Sequence, residues 1–256
     1  MNTEIRILPL TGIGEIVPGA DLGLLIFEAL QTQNLTLRQS DVLVVTQKIV
    51  SKAEGKLVRL DTIEPSEFAR ISAEASHKSA QYIEVVLRES RRVVRMDHGV
   101  LLTETRHGFI CANSGVDESN VSGNEGEIML LPDDADLSAR TIRARLQELY
   151  HEGPEFEIAV IVSDTWGRPW RNGQVNMAIG VAGLEPLIDY RGQPDSYGYE
   201  LQASVIAVAD ELASAAELVM GKIDRVPVAL IRGYSYLPAA GTVQTLLRDP
   251  ATDMFR

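Results

Sequence analysis

Residues 157–173 read EIAVIVSDTWGRPWRNG. Residues 158–162, IAVIV, form a continuous apolar run of the length of a strand buried on both faces. The pattern predicts a strand that stops at Ser163-Asp164-Thr165. A loop should follow, in which Gly167, Pro169 and Gly173 punctuate two Trp and two Arg. Strand ends are where a rigid scaffold presents loop residues for chemistry. Asp164 and Thr165 offer a carboxylate and a hydroxyl, both hard oxygen ligands suited to Mg²⁺ or Mn²⁺. Arg168 and Arg171 suit a carboxylate or a phosphate. A plainer reading competes, because Asp-Thr also caps turns and helices and Arg also solvates loops. A second acidic loop tips the balance toward a site.

That loop is NSGVDESN, residues 113–120, after a short β-like piece at 108–111. Asp117 lies among Gly, Ser and Asn, where backbone amides can point at an anion. By itself such an Asp makes an Asx-type turn. Paired with Asp164-Thr165, it could give one carboxylate to a metal otherwise held by phosphate oxygens. A third segment is TQKIVSKAEG, residues 46–55. If a helical turn forms there, Lys48 and Lys52 fall on one face, as a phosphate contact would want. A fourth is MGKIDRVP, residues 220–227, where Gly221 permits close backbone approach and Lys222 adds a charge.

Composition bounds the rest. The 256 residues carry 24 Lys plus Arg against 36 Asp plus Glu, a net charge of −12. That balance argues against nucleic acid and against an anionic membrane as partners. It also means that an anionic ligand needs a local cluster of cations. The single cysteine, Cys111, precludes an internal disulfide and fits a reducing compartment. The opening residues, MNTEIRILPL, lack the basic and apolar regions of a signal peptide, and no apolar run approaches membrane-spanning length. The expectation is a soluble cytoplasmic protein.

Periodicity adds a short strand at 5–8, a Gly/Pro loop at 11–19, and a helix carrying Leu22, Leu25, Ile26, Ala29 and Leu30. A strand is expected over 41–50, one or two helices over 65–90, and β-like pieces at 93–96, 100–103 and 127–131. Asp133 or Asp134 should cap a helix bearing Ile142, Leu146 and Leu149. The strongest helical pattern spans 201–220, with Val205, Val208, Leu212, Ala215 and Val219 on one face and Gly221 as its stop. A strand at 226–231 and a short helix near 240–248 close the chain. Strands and helices mix without strict alternation, so the fold class is α+β rather than doubly wound. Neither a Walker loop, nor a complete dinucleotide fingerprint, nor a nucleophile elbow is present, and the four histidines lack ligand spacing.

Five segments resemble, in order, the coenzyme F420-0:L-glutamate ligase family. They are TQKIVSKAEG (46–55), NSGVDESN (113–120), SDTWGRPWRNGQ (163–174), VADELASAAELVMGK (208–222) and PVALIRG (227–233). The resemblance implies an α+β, mixed-sheet fold over residues 1–256 as one unit with room for subdomains. It implies no C-terminal nitroreductase-like domain, since the chain stops at Arg256, and an intertwined homodimer. It also implies GTP-dependent ligation of L-glutamate to coenzyme F420-0, then of further γ-linked glutamates, with two divalent cations (Mg²⁺ or Mn²⁺) and K⁺. Carried over, Asp117 and Asp164 hold the first metal and Thr165 the second. The nucleotide meets Ile13, Gly14, Glu15, Ile16, Gln47, Lys48, Lys52, Asn120, Met220, Gly221, Lys222, Ile223, Asp224, Arg225, Val226 and Pro227. Position 222 departs from the family, which often has Glu or Gln there. Asp117, Asp164, Arg168 and Arg171 are the candidate catalytic residues.

Two other readings compete. One is a metal-dependent phosphohydrolase, or a nucleotide-dependent amide ligase for another carboxylate. The other is a nucleotide-binding regulator whose metal site only organises loops.

Overall fold

Residues 42–45, VLVV, alternate their side chains between two faces that are both apolar, and all four are fully buried. In the computed structural model, which describes residues 4–119, 121, 125–151 and 156–254, they sit inside a five-stranded sheet. Strand β1 (Arg6–Leu10) and helix α1 (Leu22–Thr32) lead to β2 (Val42–Thr46), which runs directly into helix α2 (Gln47–Ala53). A helix therefore stands where the sequence pattern extended the strand to residue 50. Next come β3 (Leu57–Arg59), α3 (Glu67–Glu74), α4 (Ala80–Arg88), β4 (Ser90–Asp97), β5 (Val100–Thr105), β6 (Ile110–Ala112) and β7 (Glu127–Met129). Helix α5 (Ala135–Leu149), capped by Asp134, precedes β8 (Ala159–Arg168) and β9 (Arg171–Ala182). The short strands β10 (Ile188–Asp189) and β11 (Val205–Ile206), helix α6 (Val208–Met220) and β12 (Val228–Arg232) follow, then a 3₁₀ turn, Val243–Leu246.

The main sheet has the order β1-β12-β2-β8-β9. Only β2 and β8 pair in parallel, so the fold is α+β. Leu43, Val45, Val160, Val162, Val228 and Leu230 face α1 and α5, while Val42, Val44, Ala159, Ile161, Ala229 and Ile231 face α6. The sheet is the middle layer of three. Gly180 permits close contact on the α5 side, where a Cβ would lie 2.3 Å from the Ala135 carbonyl carbon.

Between α2 and α5 the chain builds a second, smaller core. Tyr82, Ile83, Val86, Leu101, Val116 and Ile128 bury it under α3 and α4. The β3–β7 pair returns the chain to the sheet beside α2.

Two further expectations are corrected. Helix α6 begins at Val208, and Val205 lies in β11 opposite Asp189. Its buried face is Val208, Ala209, Leu212, Ala213, Ala216 and Met220, so Ala215 and Val219 stand only at the margin. The second correction concerns 163–173. The strand does not stop at Ser163 but runs on to Arg168, and the Gly/Pro tract makes a β-hairpin whose turn is Pro169 and Trp170. The tract's polar residues disguised a paired ladder, because its strand character comes from pairing with β9 and not from an apolar alternation of its own.

Candidate active site

β2 pairs with β8 as far as Thr46↔Ser163. There β2 becomes α2 while β8 continues, paired only with β9. Asp164 and Thr165 are thus the first residues of a free strand edge, placed at the carboxyl end of the parallel pair. Their side chains leave on opposite sides. Asp164 follows Val160 and Val162 onto the face of α1 and α5, and Trp166 packs into that same core. Thr165 follows Ala159 and Ile161 toward α6.

Four other chain segments converge on this end of the sheet. The α2 helix puts Lys48 and Lys52 together, as a helical turn there was expected to do. Lys48 donates its ammonium to Asp117 Oδ2 and to the Ser119 carbonyl, the latter at 3.0 Å. Asp117 is held in place by paired backbone hydrogen bonds with Met129, 2.9 and 2.8 Å. The Tyr82 hydroxyl donates to the preceding carbonyl, of Val116, at 2.9 Å. Lys52 pairs with Glu15, which draws the loop of Ile13, Gly14, Glu15 and Ile16 against α2. Gln47 is buried, donating to Ser51 Oγ and, at 3.2 Å, to the Leu130 carbonyl. The Met220–Pro227 loop closes the other side, where the Thr46 N–H donates to the Pro227 carbonyl at 2.9 Å. Gly221 turns that loop with φ +61, and a Cβ there would lie 2.2 Å from Asp224 Oδ2. Met220 is buried, Ile223 is 89% exposed, Arg225 adopts φ +56, and Val226 packs on the α6 side.

Lys222, though exposed, reaches across to the β8 edge. It donates to Thr165 Oγ1 and lies 3.2 Å from Glu217 Oε1. The Thr165 hydroxyl donates to Asn176 Oδ1, and Asn176 Nδ2 donates to Glu217 Oε2, each at 2.7 Å. Asn176 and Glu217 escaped the sequence reading. Their only signal was a polar residue inside the apolar alternation QVNMAIG, and an acid just inside the α6 stop.

Arg168 and Arg171 are not brought to this cluster. They pair across the hairpin tip, and at about 3.3 Å per residue Arg168 is roughly 13 Å along the strand from Asp164. Arg168 Nη2 donates to the Asn172 carbonyl at 2.9 Å, and its Nε has no hydrogen-bond partner among the described residues. Asn120 lies outside the described residues.

Electrostatics mark Asp164 as unusual. Part of its surface reaches solvent, but protein surrounds the rest, and burial pushes its carboxyl above the usual range. The Thr165 N–H at 2.7 Å and the charges of Lys48 and Lys222 oppose that rise without cancelling it. Among the described residues no cation forms an ion pair with it. Lys48 is pulled down to about 8 by burial, against the attraction of Asp164, with Lys222 and Lys52 adding to the fall. Asp164 would thus gain from more positive charge beside it, and Lys48 from more negative charge.

The residues fit a divalent cation of limited kind. Among the described residues no group of three or more His, Cys, Asp or Glu could hold a metal. A self-sufficient protein cage is thereby excluded for those residues. Asp117 and Asp164 offer hard oxygens to one cation, and Thr165, on the other side of β8, to another, each of which would take its remaining ligands from phosphate and water, the habit of Mg²⁺. The unpaired, partly buried Asp164 is the observation that favours a cation there.

The profile of the F420-0:gamma-glutamyl ligase family matches residues 12–233. The chain belongs to that family. It is 45% identical over 252 residues to the coenzyme F420:L-glutamate ligase of Methanothermobacter thermautotrophicus, covering 97% of this chain and 96% of the relative. It is 42% identical over 257 residues to the enzyme of the same name from Methanopyrus kandleri, covering 98% of each. It is 39% identical over 221 residues to that of Methanocaldococcus jannaschii, covering 86% of each. Every segment of the site described above lies within the stretch matched to the F420-0:gamma-glutamyl ligase family. No helix among the described residues is long and apolar enough to cross a membrane.

Proposed function

We propose that this chain ligates L-glutamate to coenzyme F420-0 at the expense of GTP, and then adds further γ-linked glutamates. A carboxylate does not condense with an amine at neutral pH, so one carboxylate oxygen first takes the γ-phosphoryl group of GTP. This gives an acyl phosphate and GDP. The amine of glutamate then attacks the acyl carbon, the C–N bond forms as the C–O bond to phosphate breaks, and phosphate departs while the amine proton passes to solvent.

The chain's part is positioning and charge compensation, the main task of a protein in phosphoryl transfer. Lys48, Lys52 and Lys222 are the cations that turn to the phosphates. Asp117, Asp164 and Thr165 hold the divalent cations, Mg²⁺ or Mn²⁺, which neutralise phosphoryl charge when bound. The 13–16 and 220–227 loops flank the nucleotide, and the free β8 edge lies beside the reacting groups. K⁺ assists, and the working unit is a homodimer. This mechanism needs no covalent enzyme nucleophile.

One observation carries the reading: two acids from separate cores, Asp117 and Asp164, meet around Lys48 in a chain whose relatives bear the ligase name. The test is phosphate release from GTP with F420-0, with and without glutamate, together with mass spectrometry of the product. Release that requires both acceptor and glutamate, with a glutamate mass added, is the expected result. Release without glutamate would indicate a phosphohydrolase, and no release would indicate a regulator.

A further inference from the structure

The β8–β9 hairpin is a stiff arm whose cationic end lies away from the site of its own chain. Its ladder stays in register from Asp164↔Met177 to Gly167↔Gln174 and closes at Arg168↔Arg171. From Asp164 to Arg168 the strand covers about 13 Å, and a paired ladder does not fold back on itself. At the tip Trp170 is 82% exposed, and residues 171–174 are exposed as well. Arg168 spends Nη2 on the Asn172 carbonyl and keeps Nε without a partner among the described residues. Arg171 is exposed, and among the described residues neither guanidinium pairs with a carboxylate. In a chain of net charge −12, two such cations side by side point to an acidic counterpart outside their own chain.

The site has the complementary need. In the proposed reaction L-glutamate reacts through its amine, so its two carboxylates must be held, unreacting, beside Asp117 and Asp164. Lys48, Lys52 and Lys222 are given to phosphate there, and Arg225 lies in the loop that flanks the nucleotide. A planar guanidinium is the side chain best shaped to grip a carboxylate. We propose that Arg168 and Arg171 act in trans, each hairpin tip reaching the site of a second copy of this chain to bind a carboxylate of L-glutamate. Twofold symmetry makes the exchange reciprocal, since the arm that enters the partner's site is matched by the partner's arm entering the first. Trp170 is the kind of aromatic anchor that such a contact buries. The inference rests on the proposed function for the identity of the carboxylate and for the homodimer.

Mixed dimers test which copy the arginines serve. Two full chains with different affinity tags are co-expressed, one carrying Asp164→Asn and the other Arg168→Ala with Arg171→Ala, and the doubly tagged dimer is isolated. Phosphate release from GTP is measured with F420-0 at glutamate well below its KM, and thermal melts verify folding. The arginine variant should lose about tenfold for each guanidinium, as expected for a hydrogen bond to a charged group. The mixed dimer should regain about half of wild-type activity, because one of its two sites joins an intact Asp164 to an intact hairpin from the other copy. If the arginines served their own chain, both of its sites would lack one group and it would stay as inactive as its parents. That result overturns the inference. So does a wild-type chain that is active as a monomer, an Asp164→Asn homodimer as active as wild type, or a folded arginine variant with the wild-type KM for glutamate. Arg171→Ala alone should raise that KM about tenfold and leave the KM for GTP unchanged. It replaces the double arginine variant in the mixed dimer if the latter does not fold. Wild type without glutamate-dependent release overturns the ligase reading and the inference with it. An active wild type beside a silent mixed dimer overturns the inference alone.

Discussion

Lys48 and Asp117 are 69 residues apart, and the ammonium of one bonds the carboxylate of the other. Lys48 rises from the sheet through α2, whereas Asp117 belongs to the loop over the smaller core. Their contact joins the two cores. With Lys52 similarly bonded to Glu15, both lysines would exchange a carboxylate for phosphate on binding the proposed nucleotide. Replacing both, Lys48→Ala with Lys52→Ala, should therefore weaken GTP binding by about 1 kcal/mol, near fivefold, for each charge. The loss should grow as salt falls. Titration calorimetry at two ionic strengths checks this, and equal affinity for variant and wild type would count against phosphate contacts by these lysines.

Asp164 is held in a site that disfavours its charge. Asp164→Asn should lower metal-dependent turnover at least about a hundredfold, because losing a direct ligand should cost no less than losing a partner that supports one. Because the neutral amide relieves a desolvated carboxylate, the melting temperature should stay level or rise. A large drop in melting temperature would show that Asp164 is structural.

We expect position 222 to set how well a second cation binds. The Lys222 ammonium sits on Thr165 Oγ1, and a protonated amine both blocks a metal and repels it. Lys222→Glu should remove that competitor and add an oxygen ligand. The activity curve against Mn²⁺, at fixed saturating GTP, should move to lower concentration by roughly tenfold. Superimposable curves would separate position 222 from the cation's surroundings.

At the opposite end of β2, Asp41 is 1% exposed and accepts from Arg232 Nε at 2.9 Å, Arg232 Nη2 at 2.6 Å and the Arg38 N–H at 2.8 Å. Arg232→Ala leaves this carboxylate buried without its cation, at a cost of about 3 kcal/mol. Urea unfolding should report it as a lower midpoint with an unchanged slope. A shift below about 0.5 kcal/mol would mean that solvent replaces the guanidinium.

Cys111 should be chemically silent. Burial, with Asp164 nearby, pushes its thiol up to about 12. At pH 8 the thiolate fraction is then on the order of 10⁻⁴, and the thiolate is the reactive form. Iodoacetamide should label the folded protein negligibly at pH 8 and label the urea-unfolded chain fully. The folded rate should climb with pH through pH 10. Rapid labelling of the folded form at pH 8 would overturn the burial argument.

The family was legible in the linear sequence, because the resemblance resides in short segments. TQKIVSKAEG, NSGVDESN and SDTWGRPWRNGQ keep their candidate site residues within a few positions of one another. The buried strands were legible too, since apolar runs such as VLVV and IAVIV have one physical explanation at that length. Only the fold could show that β8 continues past Ser163, because a polar strand is held by its partner β9 rather than by its own composition. The same is true of Lys48 reaching Asp117, of Lys222 turning to Thr165, and of Arg168 standing apart at the hairpin tip. The hydrogen-bond chain from Glu217 through Asn176 to Thr165 joins α6, β9 and β8. A sequence states which groups can donate and accept. Which of them meet is decided by how the sheet, with helices packed on both faces, closes distances of many tens of residues along the chain.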